Sequence, residues 1–211
     1  MLELIGRGGV LVWPIMFCSL IGVVIFFERL FCFRKARQWR QSDSKIFGLV
    51  RQGKLLEARQ LVALKGRGKL NISSAESILY EALSTERANL ATMETMLGHA
   101  VDREVKYLAR HLGALATLGN ISPLLGLLGT VVGMIKAFAK VESMGGRVNA
   151  SVLAGGIWEA MLTTAFGLVV AIPLIIFHSY LAAKLEAIQT DLQEIAVDFL
   201  KIWSASGAGD K

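Results

Sequence analysis

The 211-residue sequence is poor in the residues that punctuate soluble folds, with two cysteines, three prolines and three histidines. Cys18 and Cys32 lie in or at the edge of one apolar run. Without further cysteines or clustered histidines they can build neither a disulfide framework nor a metal site, and they read as packing thiols. No nucleophile stands beside a base and no phosphate-binding loop is present, which leaves no ground for an enzyme and none for a cofactor. Strand-like alternation, internal repeats and low-complexity stretches are missing as well. So are acidic residues at the centre of any long apolar run, so this chain offers no mid-span carboxylate of its own.

What is abundant is apolar side chain, 54% of the sequence, more than one soluble core of this size accommodates. Gly8 to Phe27 gives 20 residues without a charge and Leu112 to Ile135 gives 24. At about 1.5 Å per residue, each crosses a hydrocarbon core of roughly 30 Å. A third run, from about Ile157 to Leu181, holds Glu159 and His178 near its two ends and leaves Ala160 to Phe177 uncharged. The first run is too long for a cleaved leader and ends in "ERLFCFRKARQWR", so it reads as a retained helix.

Basic residues set the expected orientation. Arg29, Arg34, Lys35, Arg37, Arg40 and Lys45 follow the first span, and Arg103, Lys106 and Arg110 precede the second, which places the intervening region in the cytoplasm. Only Arg7 precedes the first span. The fold class expected is an all-α integral membrane protein with three transmembrane helices and long cytoplasmic helical extensions. Its segments are an extracytoplasmic N-terminus at 1–9, transmembrane helices at 10–31, 112–139 and 152–181, and a cytoplasmic helical region at 32–111. An extracytoplasmic loop at 140–151 and a cytoplasmic amphipathic helix and tail at 182–211 complete it. The net charge of +6 is then a topology signal and a match to anionic lipid, not a nucleic-acid footprint.

In the cytoplasmic region Asp43 can cap one short helix, Gly53 separates it from another, and "KGRGKLN" reads as a loop. Ser73 with Glu76 forms a capping box opening a helical pattern with no proline before Pro123. Leu83, Leu90 and Leu97 recur every seven residues, as do Met93, Ala100 and Tyr107, which predicts one helix running unbroken into the membrane. Beyond the third span, Leu185, Ile188, Leu192, Ile195, Phe199 and Ile202 form a heptad seam. It is expected to pack on the extension of the second span or on neighbouring subunits. The last residues, "SASGAGDK", read as a frayed end.

Helices in lipid associate through close backbone approach and hydrogen bonds, since burial adds no hydrophobic energy there. Ser122, Gly126, Gly129, Gly133 and Ala137 step by 4, 3, 4 and 4 along the second span. Ala160, Thr164, Gly167 and Ala171 step by 4, 3 and 4 along the third. Packing alone accounts for these glycines. Thr130 stands at the edge of the first face and Thr164 within the second, and in an antiparallel pair their hydroxyls come out nearly level. A lone threonine returns its hydroxyl to its own helix, but two at one depth beside smooth faces suggest a polar lining. Glu159, read as the start of the third helix, is either a cap paired with Lys136 or a polar group at a pore mouth. His178 is either an interfacial anchor beside Tyr180 or a titrating gate.

"SPLLGLLGTVVGMIKAF", followed about thirty residues after Thr130 by "GGIWEAMLTTAFGLVVAIP", resembles the ExbB/TolQ/MotA proton-channel family, closest to its three-helix ExbB and TolQ branch. The likeness extends over the whole layout. It implies a ring, a homopentamer, around the transmembrane helices of an ExbD- or TolR-like single-span partner that carries a membrane aspartate. It further implies a TonB- or TolA-like protein as the driven load and a bacterial inner-membrane location with the N-terminus outside and the C-terminus in the cytoplasm. By motif position the family's pore threonines fall on Thr130 and Thr164 and its motif glutamate on Glu159, the proton being the coupling ion. Helix geometry sets Thr163 about 40° and Thr164 about 140° from Glu159, while the motif selects Thr164. Two positions depart from the family's usual pattern, Val132 in place of an aromatic and Lys136 in place of a small or polar residue. The rival expectation is a non-conducting membrane scaffold or assembly protein whose small residues only pack helices.

Overall fold

The computed structural model describes residues 9–37, 48–50, 52–66, 74–85, 89–144 and 150–205. The expected cap at Asp43, the Ser73 capping box, most of the "KGRGKLN" loop, Arg7 and the final residues lie outside the described residues. Among the described residues every regular element is a helix: α1 (Val12–Arg37), α2 (Leu55–Gly66), α3 (Ser74–Ser84), α4 (Leu90–Ala109), α5 (Leu112–Ser143) and α6 (Ala150–Ala205). Three stretches, Val12–Arg34, Leu90–Ser143 and Leu153–Ala205, contain a window long and apolar enough to cross a membrane. The chain divides into two compact units, one of residues up to Glu28 with His111–Leu181, the other of Arg29–Arg110 with residues from Ala182 onward.

In the first unit α5 and α6 run antiparallel, and α1 joins α6 where Leu174 fills the space beside Gly22 and Phe26 stacks on Phe177 at 3.9 Å. The second unit has a core of its own. Val50, Ala58 and Val62 meet Ile78, Leu79 and Leu83 of α3, Met93, Leu97 and Ala100 of α4, and Leu192, Ile195, Phe199 and Trp203 of α6. From Ile188 to Ile202 the heptad seam is therefore covered by helices of its own chain, and Trp203 joins it in the core, whereas Leu185 lies outside that cluster. Glu81 of α3 also pairs with Arg103 of α4, and that hydrogen bond raises the guanidinium pKa above its ordinary value. Both side chains are too exposed for the pair to stabilise much.

The unbroken helix expected from Ser73 into the membrane is not found, because it stops twice. At Ser84 and Thr85 both hydroxyls donate to the Glu81 carbonyl, closing α3, and the Asn89 side chain accepts the Thr92 N–H at 2.8 Å to start α4 anew. The break resets the helical phase. Leu83 and Leu97 both reach the core, but Leu90 is 45% exposed and Tyr107 60%. The second stop is at Arg110 and His111, where His111 adopts φ +66°, a left-handed conformation that histidine enters more readily than most residues. Arg29 donates to the Tyr107 carbonyl at 3.3 Å, supplying one partner for the open end of α4. Across the first unit, Glu28 faces the His111 ring at 3.2 Å.

Gly98 sits inside α4 with nothing within 4 Å of where a Cβ would stand. Gly98→Ala is therefore expected to stabilise the second unit by about 0.5–1 kcal/mol through helix propensity alone. A melt followed by circular dichroism checks this, and a fall in Tm would contradict the open space beside α4.

Candidate functional site

The site is the seam between α5 and α6, and its register follows from the glycines. A Cβ on Gly126 would meet the Thr164 Cα at 3.1 Å and the Gly167 Cα at 3.3 Å, while one on Gly133 would meet the Ala160 Cβ at 3.0 Å. A Cβ on Gly167 would stand 2.7 Å from the Ser122 carbonyl oxygen. Backbone touches backbone at these points, which larger residues would prevent. Gly156 extends the seam, since its Cβ would lie 2.5 Å from that of Ala137. The sequence reading missed Gly156, although the four-residue step back from Ala160 along α6 leads straight to it. Ala171 is likewise buried, at 1% exposure.

Four hydroxyls line or border this seam, and each donates to a backbone carbonyl. Ser122 donates to Leu118 O, Thr130 to Leu127 O and Thr163 to Glu159 O, each within its own helix. Thr164 differs, because it donates across the seam to Gly126 O at 3.0 Å. The absence of a side chain on Gly126 is what admits that bond. Thr163 is 2% exposed, and its methyl group occupies the niche that Gly129 leaves empty. Thr163 is thus enclosed between the helices, whereas Thr130 and Thr164 are half-buried at the border of the seam. Pairing Gly129 with Thr163 and Gly133 with Ala160 sets Thr130 and Thr164 within about 3 Å of one level.

Lys136 and Glu159 meet at 3.5 Å between α5 and α6. Gly9, at φ +72°, approaches the same carboxylate so closely that any Cβ there would collide with it. Glu159 does not begin the third helix. α6 starts at Ala150, so Glu159 lies more than two turns inside, beyond the first turn where the helix dipole acts. Its charge is met by Lys136. His178 stands apart, fourteen residues and about 21 Å along α6 from Thr164, next to the Phe177 ring that stacks on Phe26.

The sequence profile of the MotA/TolQ/ExbB proton channel family matches residues 71–194, which takes in α3 to α5 and α6 as far as Glu194. The chain belongs to this family. A biopolymer transport protein ExbB homolog of Methanothermobacter thermautotrophicus is 30% identical over 88% of this chain, which spans 64% of that protein's length. The biopolymer transport protein exbB1 of Vibrio cholerae is 28% identical over 92% of this chain and 84% of its own. The Tol-Pal system protein TolQ of Haemophilus influenzae is 35% identical over 49% of this chain and 45% of its own. With three apolar helices and this membership, the protein is a multi-pass membrane component of a proton-channel family, not a member of an enzyme family.

Proposed function

We propose that the chain is an ExbB/TolQ-like subunit of a bacterial inner-membrane motor that converts proton motive force into mechanical work. Five copies form a ring around an ExbD- or TolR-like single-span partner, which passes the work to a TonB- or TolA-like protein. In this reading the N-terminus faces the periplasm and the C-terminus the cytoplasm, an orientation supported by the basic residues flanking the first two spans.

The observation that carries this reading is the state of two hydroxyls at one level. Thr130 and Thr164 each commit their single proton to a carbonyl, at 2.7 Å and 3.0 Å. What they offer beyond the seam is lone pairs, which accept hydrogen bonds from water, from hydronium or from a protonated carboxyl group. Neither hydroxyl titrates in the useful range, so a charge that moves must come from another chain. A partner aspartate fills that role, neutral when it faces the threonines and ionised when it faces water. Glu159 and Lys136, already paired at 3.5 Å, form the polar boundary of the path.

Native mass spectrometry of detergent-extracted protein, made alone and with the partner, tests the assembly. A ring of five that retains the partner is the expected result, with proton flux abolished when the partner's membrane Asp becomes Asn. A monomer or dimer indifferent to the partner would instead favour a scaffold in which the glycine seam serves packing alone.

A further inference from the structure

Asn120 stands eight residues into α5, inside the 24-residue uncharged run, and its side chain is exposed. No other described residue makes a hydrogen bond to its amide. The preceding residue, Gly119, faces Ile175 and Leu174 of α6, so Asn120, about 100° further round, points away from the seam. A carboxamide carries two donors and two acceptor lone pairs, and leaving them unpaired in hydrocarbon is too costly to persist. Thr117 lies one turn earlier, also exposed, with its hydroxyl proton given to Gly113 O at 2.9 Å. On α5, Leu124 and Leu127 lie about 40° to one side and about 20° to the other side of Asn120, so the three share one face, which Thr117, about 60° to one side, and Thr130, about 80° to the other, flank. Between the polar levels lie Leu124 and Leu127, 62% and 58% exposed.

We propose that Asn120, with Thr117, lines a water-filled vestibule on the His111 side of Leu124 and Leu127, a second polar station about 15 Å from Thr130 through which the coupling ion enters or leaves. This rests on the ion-path reading above and extends it by two residues. The apolar collar of Leu124 and Leu127 keeps the two water-accessible levels from joining, so the ion crosses only when a carrier group moves between them. Asn120 serves as a neutral hydrogen-bonding wall that orders water without trapping charge.

The test is thiol accessibility in the full chain, assembled with its partner in membranes, with Cys18 and Cys32 replaced by Ala. Asn120→Cys, Ile121→Cys and Thr130→Cys are each treated with a charged methanethiosulfonate reagent. The thiolate is the reacting form and needs water, so Asn120→Cys is expected to react at least about tenfold faster than Ile121→Cys. Equal, slow reaction at Asn120→Cys and Ile121→Cys with fast reaction at Thr130→Cys would overturn the vestibule and leave the motor reading intact. Slow reaction at all three would count against both. Spontaneous disulfides between copies at Asn120→Cys, without reagent labelling, would make the residue a subunit contact and sink the vestibule. A second readout is proton flux in liposomes at unchanged copy number, which Asn120→Leu should reduce severalfold and Asn120→Ser should largely preserve. Unaltered flux with Asn120→Leu would also refute the assignment.

Discussion

Gly167→Ala is expected to destabilise the α5–α6 pair by about 1–3 kcal/mol, toward the upper end of the range for overpacking. The added methyl carbon would stand 2.7 Å from Ser122 O, 3.0 Å from the Gly126 Cα and 3.3 Å from the Gly126 N, all of them backbone atoms. A side chain can rotate out of the way, but a helix backbone can only withdraw as a unit. Withdrawal would lengthen the Thr164 bond to Gly126 O and open the neighbouring contact at Gly133. A lower melting temperature in detergent and partial loss of the oligomer are the expected readouts. Gly155→Ala is the control, since nothing lies within 4 Å of its Cβ position and helix propensity should make it neutral or mildly stabilising. Equal melting of the two variants would show that the seam is not packed at Gly167 as described.

Thr164→Val and Thr163→Val separate the two adjacent threonines that the sequence could not. Valine keeps the shape and removes the hydroxyl. In Thr164→Val the bond to Gly126 O is lost, and interhelical hydrogen bonds of this kind average only about 0.6 kcal/mol in a membrane. The ring should therefore still assemble. Proton flux should nevertheless fall at least about tenfold, equivalent to about 1.4 kcal/mol of barrier, because the lone pairs at the transfer level are gone. Thr130→Val should behave alike. Thr163→Val should stay within about twofold of the parent flux, since that hydroxyl is enclosed and the methyl in the Gly129 niche is retained. Liposome flux assays with the partner present decide the matter, and equal loss at 163 and 164 would remove the distinction drawn from the seam.

The three apolar runs and the small-residue faces were legible because lipid makes strict demands on composition and period. The helix interruptions near residues 85–89 and at His111 were not. A seven-residue recurrence through Leu83, Leu90 and Leu97 reads as one helix, yet local side-chain bonds at Ser84, Thr85 and Asn89 stop it, and the recurrence survives only as two helices feeding one core. Asn120 escaped attention because a single amide in an apolar run carries no period.

The sequence by itself determined that the chain crosses a membrane, which faces of its spans are smooth, and that no mid-span acid belongs to it. Composition and period along one chain suffice for those properties. Only the tertiary structure decided that Thr163 is enclosed while Thr164 bridges to Gly126 O, that Glu159 is met by Lys136, and that the seam of α6 is covered by α2 to α4. Each depends on which backbone approaches which, and helices of equal smoothness can dock in several registers until side-chain contacts select one.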